Sequence, residues 1–286
     1  MNIQTLDNFI HTWGKTGLKL QATLVFAFLY LPILILIIYS FNDSRFNSNW
    51  TGFTLKWYQK LLTESTADIA TQSLWNSLQN SLIIAIASTL IASILGTMVA
   101  LALERFRFPG AKLLETLLLL PIIIPEITLG VSLLVFFTLV FRILENLIGI
   151  RLTLGLPSVI ISHATFSIAF ITITVRARLS DLDPALEEAA LDLGANEWKT
   201  FWRITFPLIF PAILSGALLA FTISLDDFVV TFFTTGVGAT TLPLFVYGMI
   251  KLSVSPVINA ISTLMLLASL FLVISSLKLQ DGVKVK

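Results

Sequence analysis

Three carboxylates stand inside runs of residues that are otherwise apolar. Asp226 and Asp227 lie in Ser224-Leu225-Asp226-Asp227-Phe228-Val229-Val230, and Glu126 ends Leu120-Pro121-Ile122-Ile123-Ile124-Pro125-Glu126. A carboxylate held in a membrane span costs a few kcal/mol, so each calls for a role. No lysine or arginine falls within the core of any apolar run. A path lined with acids and no bases suits a cation. The alternatives are an acid pair at a helix end reaching interfacial water, and a protonated Glu126 holding two helices together by a hydrogen bond.

Other side chains could assist. Ser224 is within one turn of the acid pair and can orient a bound ammonium or bond back to its own helix. Trp57, beside Tyr58 in a long polar segment, can form cation–π contacts of roughly 0.5–2 kcal/mol; Trp50 and Trp75 read as interfacial anchors. His163 is a lone polar residue in an apolar run and reads as an interhelical contact.

Several chemistries are excluded. There are no cysteines, hence no disulfide or thiolate site, and His11 and His163 cannot form a metal centre by themselves. Gly14-Lys15-Thr16 lacks the glycine a phosphate loop needs five residues earlier, where Phe9 stands. ATP hydrolysis would therefore sit on another chain, with no cofactor on this one. A net charge of +1 gives no case for nucleic acid.

The elements that must position these residues are helical spans. With 56% hydrophobic and 12% charged residues, and apolar runs long enough to cross a bilayer, the chain reads as an all-α, multi-span membrane protein. Six spans are expected: 20–40, 78–103, 113–140 (interrupted by Pro121 and Pro125), 156–175, 208 to about 233, and 254–277. The first is too long for a signal h-region and reads as a retained helix. Residues 1–19 form an amphipathic segment with His11, Lys15 and Lys19 at helical spacing, expected to lie against inner headgroups. Residues 20–277 make one membrane domain, and 278–286 a tail. Twelve of the 18 lysines and arginines fall on one side, which puts both termini and the loop 181–207 in the cytoplasm. Asp226 lies nineteen residues after Pro207, about 29 Å along a helix, in the outer half of the fifth span.

That loop is patterned as helix, turn, helix. Asp183 can cap a first helix, Pro184 suits its first turn, and Gly194 can end it in the left-handed region. Asn196 can cap a second helix that stops before Pro207. Ala185, Leu186, Ala189 and Leu193 make a small apolar stripe suited to a groove, or to packing on their own chain.

Glu188-Ala189-Ala190, three residues, Gly194, nine residues, Ile204, one residue, then Phe206-Pro207 resembles the EAA loop of ABC-importer permeases. Phe206 stands where the family has leucine. The resemblance implies the type I ABC-importer permease fold, and an ATPase subunit dimer docked on the loop through Glu188, Ala189, Ala190, Gly194 and Pro207. It also implies a second related permease and a periplasmic binding protein, in a bacterial inner membrane. ATP and Mg would bind the partner ATPase. Leu120 to Glu126, Ser224 to Phe228 and Gly238-Ala239-Thr240-Thr241-Leu242-Pro243 resemble polyamine (spermidine/putrescine) permeases of the PotC/PotI type. That group commonly has Asp at the position of Glu126. The substrate path would then include Asp226, Asp227, Glu126, Ser224 and Trp57. A proton-coupled secondary cation transporter would also explain the acids, though not the loop spacing; an ABC permease for another small solute would explain both.

Overall fold

The computed structural model describes residues 3–44, 49–63, 69–252 and 256–284. Among these the regular structure is helical, with one isolated antiparallel bridge between Asn42 and Phe53. Two compact units are formed, residues 1–65 with 249–266, and residues 66–248 with 267–286.

The first unit contains α1 (Ile3–Tyr39) and α2 (Lys56–Thr63). α1 is one uninterrupted helix, so the expected change at residue 20 from an interfacial segment to a span has no break in the backbone. The His11 side chain, and Arg45 and Lys286 among the lysines and arginines counted for orientation, lie outside the described residues. In the polar segment, Trp57 Nε1 donates to Asn42 O at 2.7 Å, and the Tyr58 and Ser40 hydroxyls meet at 2.6 Å.

The second unit holds α3 (Ile69–Arg105), α4 (Ala111–Ile123), α5 (Glu126–Ile148), α6 (Leu156–Ser180), α7 (Ala185–Asp192), α8 (Glu197–Thr200), α9 (Phe206–Asp226) and α10 (Val229–Thr234). α11 (Leu242–Leu252) and α12 (Pro256–Lys284) each run through both units. Six helical stretches among the described residues are long and apolar enough to cross a membrane.

Helices α3, α6 and α9 pack on one another around Ala92, Ala100, Ile171, Val175, Ile209 and Ala220. Lipid tails are as apolar as leucine, so such helices gain by close backbone approach and interhelical hydrogen bonds rather than by escaping water. Both devices are present. A Cβ on Gly96 would come within 3.1 Å of Ile168 O and the Ile171 side chain, and Ser215 and Ser276 hydroxyls meet at 3.0 Å between α9 and α12. Asn80 Nδ2 donates at 3.0 Å to Gly238 O and Thr240 O, and Leu242 N donates to Ser81 Oγ at 2.8 Å. These contacts pin the 238–243 loop to α3.

Two expected spans are interrupted. The third is divided at Ile124-Pro125 into α4 and α5, because Pro125 has no N–H to continue the ladder; Pro121 is tolerated inside α4. The fifth ends at Asp226 instead of running to Phe233, with Asp227 extended (ψ 130°) before α10 begins. The second loop helix does not stop before Pro207. It passes through a π turn (Phe201–Thr205), with Phe206 N bonded to Phe201 O, and continues as α9. Pro207 falls in the first turn of α9, where the wider turn absorbs its missing donor.

Gly236 is where the link after α10 passes the start of α6, and a Cβ there would overlap the Leu154 carbonyl. Gly236→Ala is expected to destabilise the fold by at least about 1–3 kcal/mol, read as a lower melting temperature and folded yield in detergent. Gly248→Ala, with open space around it within α11, should be neutral or slightly stabilising in the same assay.

Candidate functional site

The two interruptions bring Glu126 and Asp227 to one place. Helix α5 packs against α10 so closely that a Cβ on Gly130 would stand 2.6 Å from the Phe233 ring. Beside this contact is an open cavity of about 260 Å³ whose walls include Glu126, Asp227, Pro121, Phe166, Phe170 and Ile223. Glu126 is therefore the first residue of α5, not a mid-helix side chain, and sits where the helix macrodipole favours negative charge.

Asp227 is nearly buried, with its side chain 8% exposed, and is held by a polar network. Thr231 N and Thr231 Oγ1 both donate to Asp227 Oδ2 at 2.8 Å, so the carboxylate serves one of the donors that the first turn of α10 leaves unpaired. His163 Nε2 lies 3.3 Å from the same oxygen and 3.0 Å from Thr231 Oγ1. His163 Nδ1 is 2.7 Å from Ser224 Oγ, which is 3.2 Å from Ser88 Oγ.

The remaining path candidates are placed differently. Asp226, the last residue of α9, is exposed and accepts from Ser269 Oγ at 3.0 Å. The two adjacent acids thus turn to different surroundings, with the helix ending between them. Ser224 is buried and engaged by His163 and Ser88 rather than exposed to the cavity. Trp57 belongs to the other unit, and its ring already has a cation, Lys56 Nζ, 4.6 Å from its centroid. Lys56 in turn pairs with Asp43.

In the loop, Asp183 Oδ1 accepts from Ala185 N at 3.0 Å, and Asn196 Oδ1 accepts from Lys199 N at 2.9 Å. Gly194 has φ +84°, with Gly194 N bonded to Leu191 O and Ala195 N to Ala190 O. This paired closure is the Schellman ending that a left-handed glycine permits. Ala185, Leu186, Ala189 and Leu193 are all exposed, Leu193 at 89%, so the apolar stripe is not covered by its own chain. Glu188 is also exposed, whereas Ala190 faces inward.

Sequence reasoning passed over Glu187, whose Oε1 accepts from Arg105 at 2.8 Å and from the Thr205 hydroxyl at 2.6 Å. It also passed over Arg176, which joins α6 to Glu104 at 3.1 Å and to Glu115 at 2.6 Å. Helical spacing hinted at the first, since Glu187 and Glu188 point in different directions. The partners of both are set by tertiary packing and leave no mark on local pattern.

Comparison with known proteins fits this architecture. Residues 92–281 match the family model described as binding-protein-dependent transport system inner membrane component. The Escherichia coli K12 spermidine/putrescine transport system permease protein PotC is 42% identical over 89% of this chain and 90% of its own. The putrescine transport system permease protein PotI of the same strain is 42% identical over 84% of this chain and 82% of its own. Among solved structures, a bacterial ABC transporter involved in import of the acidic polysaccharide alginate superposes with a TM-score of 0.72 at 19% identity, covering 98% of this chain and 99% of that one. Fold, loop spacing and sequence similarity agree: the chain is a multi-pass inner-membrane permease of the binding-protein-dependent transport system inner membrane component family.

Proposed function

We propose that this permease forms half of a translocation path for polyamines of the spermidine/putrescine class. The observation that carries the reading is the shared cavity of Glu126 and Asp227, two carboxylates with Phe166 and Phe170 beside them. Acids attract an alkylammonium group, and aromatic faces accept its methylene chain and charge. The similarity to PotC and PotI supports the same cargo. Asp226 is the next acid, on the exposed side of the helix end. Ser224 acts through the network, and Trp57 is a lesser path residue.

The chain performs no bond chemistry. It pairs with a second related permease, and the outward apolar side chains of α1 face lipid or that partner. A periplasmic binding protein delivers the amine, and two copies of an ATPase carry the ATP and Mg. Both termini and the 181–207 loop are cytoplasmic. The ATPase groove takes the exposed stripe of α7, with Glu188, Ala189 and Gly194 at the contact and Ala190 packed inward behind them; Pro207 opens the span that receives the movement. Glu187 points inward and ties α7 to α3 through Arg105, so closure of the ATPase dimer moves the helix core with the loop.

Uptake of labelled spermidine and putrescine by proteoliposomes holding the whole transporter, with ATP on the loop side and binding protein on the other, tests the cargo. ATP-dependent uptake of either amine is expected; stimulated ATP hydrolysis with neither amine moved would send the cargo assignment elsewhere. Asp227→Asn and Glu126→Gln should each lower uptake about tenfold or more while assembly is kept. Unchanged uptake in both would remove them from the path.

The loop is tested separately. Glu188→Lys with Gly194→Trp should reduce co-purification of the ATPase, and full retention would refute docking there. Arg105→Met and Glu187→Met should leave the ATPase bound but uncouple its hydrolysis from uptake. The pair is partly exposed, so its coupling energy in a double-mutant cycle should stay within about 1 kcal/mol.

A further inference from the structure

Chemistry assigns the donors at the carboxylate end of the buried network. A carboxylate only accepts, so the Thr231 hydroxyl gives its proton to Asp227 Oδ2 at 2.8 Å. Thr231 Oγ1 can then only accept from His163 Nε2 at 3.0 Å, which means that Nε2 carries a proton. With a neutral ring, Nδ1 accepts from the Ser224 hydroxyl at 2.7 Å, and Ser88 Oγ, 3.2 Å away, completes the chain. His163 is completely buried, and both its nitrogens are used.

Each contact with Asp227 falls on one oxygen. Thr231 N, Thr231 Oγ1 and His163 Nε2 all converge on Oδ2, and Oδ1 has no hydrogen bond among the described residues. The carboxylate is part of the cavity wall, as is Phe166, whose ring centroid lies 5.3 Å from that of His163. The network draws on four helices and the break: Ser88 on α3, His163 on α6, Ser224 on α9 and Thr231 on α10.

We propose that His163, as the neutral Nε2–H tautomer, is the positioning residue of Asp227: it fixes Thr231, whose N–H and hydroxyl hold Oδ2, and Oδ1 is left to meet the cargo. The role rests on the reading of Asp227 as a path residue. A neutral imidazole orients the acid without cancelling its charge, which an imidazolium in the same place would do. Ser224 then acts two bonds removed, by fixing the tautomer.

The test has two arms on the assembled transporter. The first is the nitrogen NMR spectrum of the transporter carrying [¹⁵N]histidine in this chain alone, which has only His11 and His163 to assign, with His11→Gln identifying the second. His163 should give two well-separated shifts, pyrrole-like at Nε2 and pyridine-like at Nδ1. Ser224→Ala should collapse that separation toward tautomer exchange. An imidazolium signal, or an unaltered spectrum in Ser224→Ala, overturns the assignment.

The second arm measures amine uptake in a double-mutant cycle. His163→Leu should lower uptake about tenfold, and His163→Gln, which keeps an amide donor, should restore most of it. Adding His163→Leu to Asp227→Asn should cost nothing more. Equal further loss in the Asp227→Asn background, or His163→Gln no better than His163→Leu, would show a general packing role and sink the proposal. If Asp227→Asn alone leaves uptake intact, the path reading fails while the spectrum still decides the tautomer.

Discussion

A backbone group released inside hydrocarbon must find another partner, and this constraint governs the second unit. The chain interrupts two helices there, at Ile124-Pro125 and at Asp227-Phe228. Each interruption places a carboxylate at the start of the following helix, where unpaired N–H groups point outward and the macrodipole favours an anion. Asp227 takes one of those N–H groups directly. The acids are therefore not polar residues set into spans against the physics of the bilayer. They are what the interruptions need, and the contact of α5 with α10 brings both to one cavity.

The same economy of direction operates in the loop. Adjacent helical residues diverge by about 100°, so Glu187 and Glu188 cannot share a partner. One is bound to Arg105 and Thr205 in its own chain, and the other is left outside with the apolar stripe. Beyond the Gly194 turn, the chain runs from Glu197 to Asp226 as one apolar helical stretch of 30 residues, about 45 Å long. The π turn lets it pass Pro207 without a break. A displacement of the loop therefore has an unbroken element to act on, one that ends at the acids.

Span count and the loop's caps were legible in the sequence because each depends on local chemistry. Asn196, Gly194 and Asp183 do what their side chains and φ preferences dictate. The interruptions were only half legible. Pro125 announced the first, yet Pro121, the same residue type four positions earlier, remains inside α4. The second had a quieter signal, an aspartate followed four residues later by Thr231, which a long apolar run masked. His163 read as an interhelical contact, and it is one. Its particular partners, Ser224 and Thr231, come from α9 and α10 turning back against α6, which periodicity cannot express.

The fold itself says little about cargo. The same helical frame serves a transporter whose cargo is an acidic polysaccharide, opposite in sign to a polyamine. Cargo sign, on the proposed reading, rests on the few side chains at the interruptions, and here those are acids. On the proposed reading the two acids are not equivalent. Asp227 is fixed through one oxygen by two donors from Thr231, with His163 Nε2 3.3 Å away, whereas Glu126 is exposed, has one more methylene, and makes no ion pair among the described residues. A rigid acid facing a flexible one defines a charge without defining a spacing. Such a pair accepts ammonium groups separated by chains of different length, which leaves discrimination between one polyamine and another to the protein that delivers it.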